Sequence, residues 1–225
     1  LGRGESCGVV VIKRLSDALR DGSRTISSVK GAAVNQDGRS ASFAAPNGPS
    51  QEDVIRSALR QAGIPPSATA YVETHGTGTA LGDPMEVGAL HGVFDGQAEN
   101  AALALGALKS SIGHTEGAAG VMGVIKAALV LQAGELPPNL HLTELNPLID
   151  TEHGFQAAFP ACGLCLSHDK QRCGGVSGFG MSGTNAHIVL QATQHEVNAG
   201  QTAPKTAFLF TGQGAQYERM GRELY

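Results

Sequence analysis

A short apolar strand that runs into a histidine, and then into alternating glycine and threonine, constrains this chain more than any other feature. The stretch is Val72-Glu-Thr-His75-Gly-Thr-Gly-Thr79-Ala-Leu-Gly-Asp-Pro84. Ala70, Tyr71 and Val72 read as a buried strand. Asp83-Pro84 with Glu86 reads as a helix start, proline at its first position and acid in its first turn. Between them an imidazole sits at a strand mouth with little bulk around it. Glycines there permit tight turns and close backbone approach. Thr77 and Thr79 alternate, so in an extended segment both hydroxyls face one way. A long thin substrate suits such a wall. The plain alternative is a strand-end histidine hydrogen-bonded into a turn, with threonines doing ordinary turn chemistry.

A second histidine stands in a comparable setting, Lys109-Ser-Ser-Ile-Gly-His114-Thr-Glu-Gly-Ala-Ala-Gly120. It precedes a long helix, whose N-terminal partial charge disfavours an imidazolium. A neutral imidazole can donate to a developing enolate oxygen. Lys109 ends an otherwise apolar strand, where a lysine needs a partner. Glu116 is one option, although a helix first turn explains that acid sufficiently. Two such histidines suit decarboxylative carbon–carbon bond formation, provided a nucleophile is supplied. Cys7, Cys162, Cys165 and Cys173 do not supply it. Cys7 opens a β-branched run and reads as a small buried residue without a basic neighbour. The other three lie in an irregular stretch. Cys162-Gly-Leu-Cys165 with His168 and Cys173 has one zinc-knuckle spacing but no second knuckle, so no metal is expected.

Strands are expected at 7–15, 25–36, 70–75, 101–109, 176–180, 186–191 and 206–212, the second an antiparallel partner of the first. Helices are expected after Ser16, from Ser50 to Gly63, from Asp83, and over 116–133. The last is apolar nearly all round and should be central. Helices alternating with strands make this an α/β chain. The net charge of −4 gives no reason to expect nucleic acid or a membrane surface as partner. No apolar run reads as long and uninterrupted enough to span a bilayer, and no secretory signal opens the chain. With cysteines used sparingly, a cytoplasmic location is expected. The chain starts at Leu1 and stops at Tyr225 in the middle of a helical pattern, so both ends read as cut from a longer polypeptide.

Taken together, Gly2-Arg-Gly-Glu-Ser-Cys-Gly, Val34-Asn-Gln-Asp-Gly-Arg, Ala45-Pro-Asn-Gly-Pro-Ser-Gln, the two histidine segments and Phe179-Gly-Met-Ser-Gly-Thr-Asn-Ala-His resemble the C-terminal half of a β-ketoacyl synthase domain of a type I polyketide synthase. Phe208-Leu-Phe-Thr-Gly-Gln-Gly-Ala-Gln resembles the opening of an acyltransferase domain, with Gln213 matching a residue near its oxyanion site. The resemblance implies ketosynthase sequence over 1–191, a short linker over 192–205 and an acyltransferase start over 206–225. It implies a thiolase-like fold of mixed sheets with packed helices, and 3-oxoacyl-[acyl carrier protein] synthase activity. His75 and His114 would stabilise the enolate, with Lys109 holding the electrostatics of the site. Thr77 and Thr79 would contact the phosphopantetheine arm of an acyl carrier protein, no cofactor being bound directly. Met181 would gate the site and donate its N–H to an oxyanion, beside Phe179 and Gly180. Partners would be the carrier protein, the rest of the synthase and a second copy in a homodimer. The family's nucleophilic cysteine belongs to an upstream segment absent from this sequence. The alternative is a half-domain that at most docks a carrier protein. Residues 161–174 replace a Trp/Pro/Arg-rich stretch of the family, and residues 40–45 lack its usual threonine.

Overall fold

The computed structural model describes residues 2–38, 46–96, 102–150, 156–166 and 172–193. The expected linker beyond residue 193, the expected strand at 206–212, His168 and Gln213 lie outside the described residues. After an irregular segment come helix α1 (Leu15–Arg20), strand β1 (Ser27–Gln36), helix α2 (Gly48–Ala62) and strand β2 (Thr69–Glu73). Helix α3 (Gly82–Phe94), strand β3 (Leu103–Gly106), the one-turn helix α4 (Lys109–Ile112) and helix α5 (Ala119–Ala133) follow. Short strands β4 (Glu135–Leu136), β5 (Ala157–Ala158) and β6 (Leu164–Cys165) lead to β7 (Cys173–Phe179) and β8 (Thr184–Ala192).

Six strands form one mixed sheet in the order β1-β8-β7-β2-β3-β5. β7, β2, β3 and β5 run parallel, while β8 is antiparallel to both its neighbours. Side chains alternate across the sheet with a period of two. Val72, Leu105 and Val189 join Val54, Ile55, Ala58 and Leu59 of α2 and Leu90 and Val93 of α3. Their chain neighbours Tyr71, Ala104 and Leu190 join Ala127, Val130 and Leu131 of α5 on the other face. Both faces are therefore covered, which is why β2 and β3 read as continuous apolar runs. Each fully buried leucine or isoleucine contributes about 1.5–3 kcal/mol to this packing. Helix α2 begins earlier than Ser50 suggests. Asn47 is its cap, accepting from the Ser50 N–H at 3.2 Å, with proline in the first turn. Gly63 ends it at φ 64° in the left-handed conformation.

Several expectations fail. Residues 7–14 form no strand, and Cys7 is exposed. Val9, Val11 and Ile12 are 80%, 95% and 78% exposed. Among the described residues no strand lies alongside to take up this segment's backbone groups, and β-branched composition alone cannot replace that pairing. β1 pairs with β8 instead. Helix α5 is not enclosed all round: Gly123, Ala127, Val130 and Leu131 are buried, while Leu129 is half exposed. Residues 116–133 reach a mean hydropathy of 1.3 over 18 residues, enough in length and composition to cross a bilayer. The stripe packed on the sheet accounts for part of that apolarity. Finally, β3 stops at Gly106, so Lys109 opens α4 rather than ending a strand. Cys173 is buried in the large sheet, whereas Cys165 lies on the β4–β6 ribbon and Cys162 is exposed. Among the described residues no three metal-ligating side chains gather.

Candidate active site

His75 stands two residues beyond the end of β2, in a loop held by its backbone. Both oxygens of the buried Glu86 carboxylate are used: one accepts from the His75 N–H at 2.7 Å, the other from the Gly76 N–H at 2.9 Å. Asp83 accepts from the Gly78 N–H at 3.0 Å. Gly76 takes φ 48°, and a Cβ there would sit 2.7 Å from Thr74 Oγ1, so only glycine fits. The hydroxyls of Thr77 and Thr79 do face one way, 3.1 Å apart. Thr79 also accepts from the Gly82 N–H at 3.1 Å, the plain turn chemistry of a helix start.

His114 follows α4 through Gly113, at φ 73°. Its backbone is pinned to the irregular first segment, donating to Gly2 O at 2.8 Å and accepting from the Gly4 N–H at 3.0 Å. Glu116, at φ 47°, donates its N–H to His114 Nδ1 at 2.9 Å. A ring nitrogen that accepts carries no proton, so in the neutral ring the proton is on Nε2. The two imidazoles meet edge-on, centroids 5.5 Å apart at 85°. Burial first, then the Lys109 charge and His114, push His75 down to about 3. Burial and then Lys109 also lower His114, against the opposing pull of Glu116. Both rings are therefore neutral at physiological pH, with burial rather than a helix end as the main cause. Burial pushes the Glu86 carboxyl up to about 7, although its two N–H bonds oppose the shift. Glu116 pairs with Arg3 at the surface, 3.6 Å away, and not with Lys109.

Phe179 ends β7 with its ring 5.8 Å from that of His75. The turn after it closes on itself, Gly180 N–H to Thr184 O at 2.7 Å and Gly183 N–H to Gly180 O at 2.9 Å. Two distant motifs hold this turn. Asp37 donates its N–H to Gly183 O at 2.8 Å. The buried Asn185 amide donates to Asp37 at 2.6 Å and to Asn35 at 3.1 Å. Asn47 donates to Asp37 O at 2.8 Å, and Asn35 to Ser50 O at 2.7 Å. The polar residues of the segments around 35, 47 and 185 thus form one belt.

His75, His114, Thr77, Thr79, Phe179, Gly180 and Met181 line one cavity of about 520 Å³. Met181 stands 79% exposed at its rim. Lys109 lines a neighbouring cavity of about 920 Å³ instead, which shares Thr77, Thr79, Ala80 and Glu86 with the first. None of the four cysteines lines either. Sequence reasoning missed Glu86 as the anchor of the His75 loop. The available signal was an acid directly beside Val87 on a helix whose Leu90, one turn on, is core. Asn139 was also missed. Its amide accepts from the Ala107 N–H at 2.7 Å and donates to Leu105 O at 3.0 Å, fixing the approach to α4.

Comparison with known proteins follows the same outline. Residues 26–143 match the family described as beta-ketoacyl synthase, C-terminal domain. The chain is 50% identical over 198 residues to a phenolphthiocerol/phthiocerol polyketide synthase polypeptide of Mycobacterium tuberculosis (strain CDC 1551 / Oshkosh), covering 84% of this chain and 10% of that protein. It is 43% identical over 217 residues to another polypeptide of the same synthase and strain, covering 95% of this chain and 14% of the relative. The chain thus spans roughly a tenth of the length of the curated relatives it matches. Among solved structures, the ketosynthase from module 6 of the bacillaene synthase of Bacillus subtilis 168 superimposes with TM-score 0.76 at 39% identity, over 81% of this chain and 33% of that one. The Streptomyces albus oxazolomycin ketosynthase domain OzmH KS7 gives TM-score 0.74 at 36% identity, over 82% of this chain and 32% of its own. These likenesses make the α/β fold thiolase-like.

Proposed function

Because this chain belongs to the β-ketoacyl synthase family, as the C-terminal half of a polyketide synthase ketosynthase, we propose that it carries the enolate-stabilising half of a 3-oxoacyl-[acyl carrier protein] synthase. The carrying observation is the pair of neutral imidazoles, 5.5 Å apart on one cavity, with the His114 proton left on Nε2. A malonyl-type thioester loses its carboxylate as carbon dioxide. The bonding pair passes into an enolate, whose oxygen accepts hydrogen bonds from the two rings. The enolate carbon then attacks the acyl thioester carbonyl. The C–S bond breaks and the sulfur leaves as thiolate. That sulfur comes from a cysteine outside this sequence, since no described cysteine reaches the cavity.

Lys109 acts at a distance, its charge helping to keep both rings neutral. Thr77 and Thr79 present their hydroxyls to the phosphopantetheine arm of an acyl carrier protein. Met181 gates the site beside Phe179 and Gly180, with its N–H as oxyanion donor. The finer assignments belong to the same proposal: an acyltransferase start over 206–225, a homodimer in the full enzyme, and a cytoplasmic location. In the intact synthase, His75→Ala and His114→Ala should each abolish carbon dioxide release from malonyl thioester while acylation of the cysteine persists. Retained release would overturn the reading.

A further inference from the structure

One buried carboxylate sits beneath the site without facing the histidine cavity. Glu73 ends β2, two residues before His75, and is 2% exposed. One of its oxygens accepts from the Leu108 N–H at 2.6 Å, directly before Lys109. The other is 2.8 Å from Lys126 Nζ on α5 and accepts from the Tyr71 hydroxyl. The segment bearing Lys109 and His114 therefore starts and finishes on the same carboxylate. Leu108 ties its beginning, and Lys126 ties the helix that follows it.

We propose that Glu73 and Lys126 are positioning residues which fix the His75 arm and the His114 arm in one register. The inference rests on the condensing reading above. Three observations support it. First, a buried ion pair is a poor device for stability alone, since apolar residues of like volume often do as well or better. Second, room is kept for it. A Cβ on Gly106 would lie 2.8 Å from the Tyr71 ring and 3.0 Å from both Glu73 Oε2 and Lys126 Nζ. Third, Leu108 and Lys126 are met by different oxygens of the side chain, which a carboxylate supplies and an amide does not. An amide offers one oxygen, and its nitrogen donates. A misplacement of about 1 Å between reacting groups costs on the order of a hundredfold in rate, so such a clamp matters to chemistry more than to folding.

A double-mutant cycle in the intact synthase tests this, with Glu73→Gln, Lys126→Met and the pair combined. Decarboxylation of malonyl thioester gives kcat and KM, and a thermal melt gives stability. In Glu73→Gln the oxygen turns to Lys126 and releases Leu108, so kcat should fall about tenfold with KM within about twofold. Lys126→Met leaves the carboxylate unpaired and should be at least as slow. The pair frees the amide oxygen for Leu108 and should recover kcat to within about threefold of the parent. Parental kcat in Glu73→Gln would overturn the proposal. So would a double variant no faster than Glu73→Gln, or one that fails to fold, because the pair would then serve folding alone. His75→Ala runs alongside: if it still releases carbon dioxide, the condensing reading has failed and not the clamp.

Discussion

At the scale of single residues, the site is built from backbone donors aimed at a few buried acceptors. His75 and His114 stood out as histidines among glycines at strand and helix ends, a setting a plain turn histidine shares, and the structure brings their rings together. Their supports did not stand out. Glu86 reads as an ordinary acid near a helix start, and Glu73 as a strand-end residue. What makes each special is a partner distant in sequence, such as Leu108 or Lys126, which no local pattern reveals. Glu86 also carries a pH prediction. Its folded pKa is raised to about 7, so the protonated form gains as pH falls through that value. A carboxyl has fewer acceptor sites than a carboxylate and an O–H to place, so it holds the His75 and Gly76 N–H groups less well. Carbon dioxide release should therefore decline as pH drops from about 8 to about 6. Glu86→Gln should be slower throughout and lack that limb. A variant with the parental pH–rate profile would show that Glu86 does not govern it.

At the scale of elements, β2, α3 and α5 lie where the periodicity puts them, whereas the one-turn helix α4 before His114 was not foreseen. Two other failures share one physical origin. Whether an apolar stretch becomes a strand, and how far a helix is covered, depends on what packs beside it. Residues 7–14 and α5 show this directly, since both have core composition and neither is enclosed among the described residues. Caps are more local, yet α2 starts upstream of the serine that its sequence suggests. Ser50 and Asn47 are both good capping types, and only the extended backbone of Asn47 lets its side chain reach the Ser50 N–H. Asn47→Ala should cost about 1 kcal/mol by loss of the cap. It also cuts the donor to Asp37 O, so the belt under the Phe179 turn should loosen. Asn47→Ser restores the cap but not that donor. Denaturant midpoints should thus rank parent, then Ser, then Ala, while a coincident Ser and parent would mean the belt contributes nothing to stability.

At the scale of the whole molecule, the sheet is covered on both faces, yet part of α5 and most of the segment 9–12 stay exposed. Gly8 lies close to Val121, Met122 and Ile125, so the first segment meets the helix at that point. Val9, Val11 and Ile12 still point into solvent, and Leu129 of α5 is half exposed. Scattered exposed apolar residues are normal, but a run of β-branched ones without strand partners among the described residues is not. Such a segment offers apolar area, and backbone groups outside any described strand pairing, to another chain. The chain expressed as it stands should therefore associate, with scattering mass rising with concentration. Replacing Val11 and Ile12 together by aspartate removes the apolar contribution and adds like charges. It touches neither the sheet nor the histidine cavity. That variant should keep the helical and strand signal in circular dichroism and shift the mass distribution towards the monomer. If the parent chain is already a monodisperse monomer that unfolds cooperatively, the exposed run is not adhesive. If the aspartate variant associates as strongly as the parent, the contact lies elsewhere on the surface.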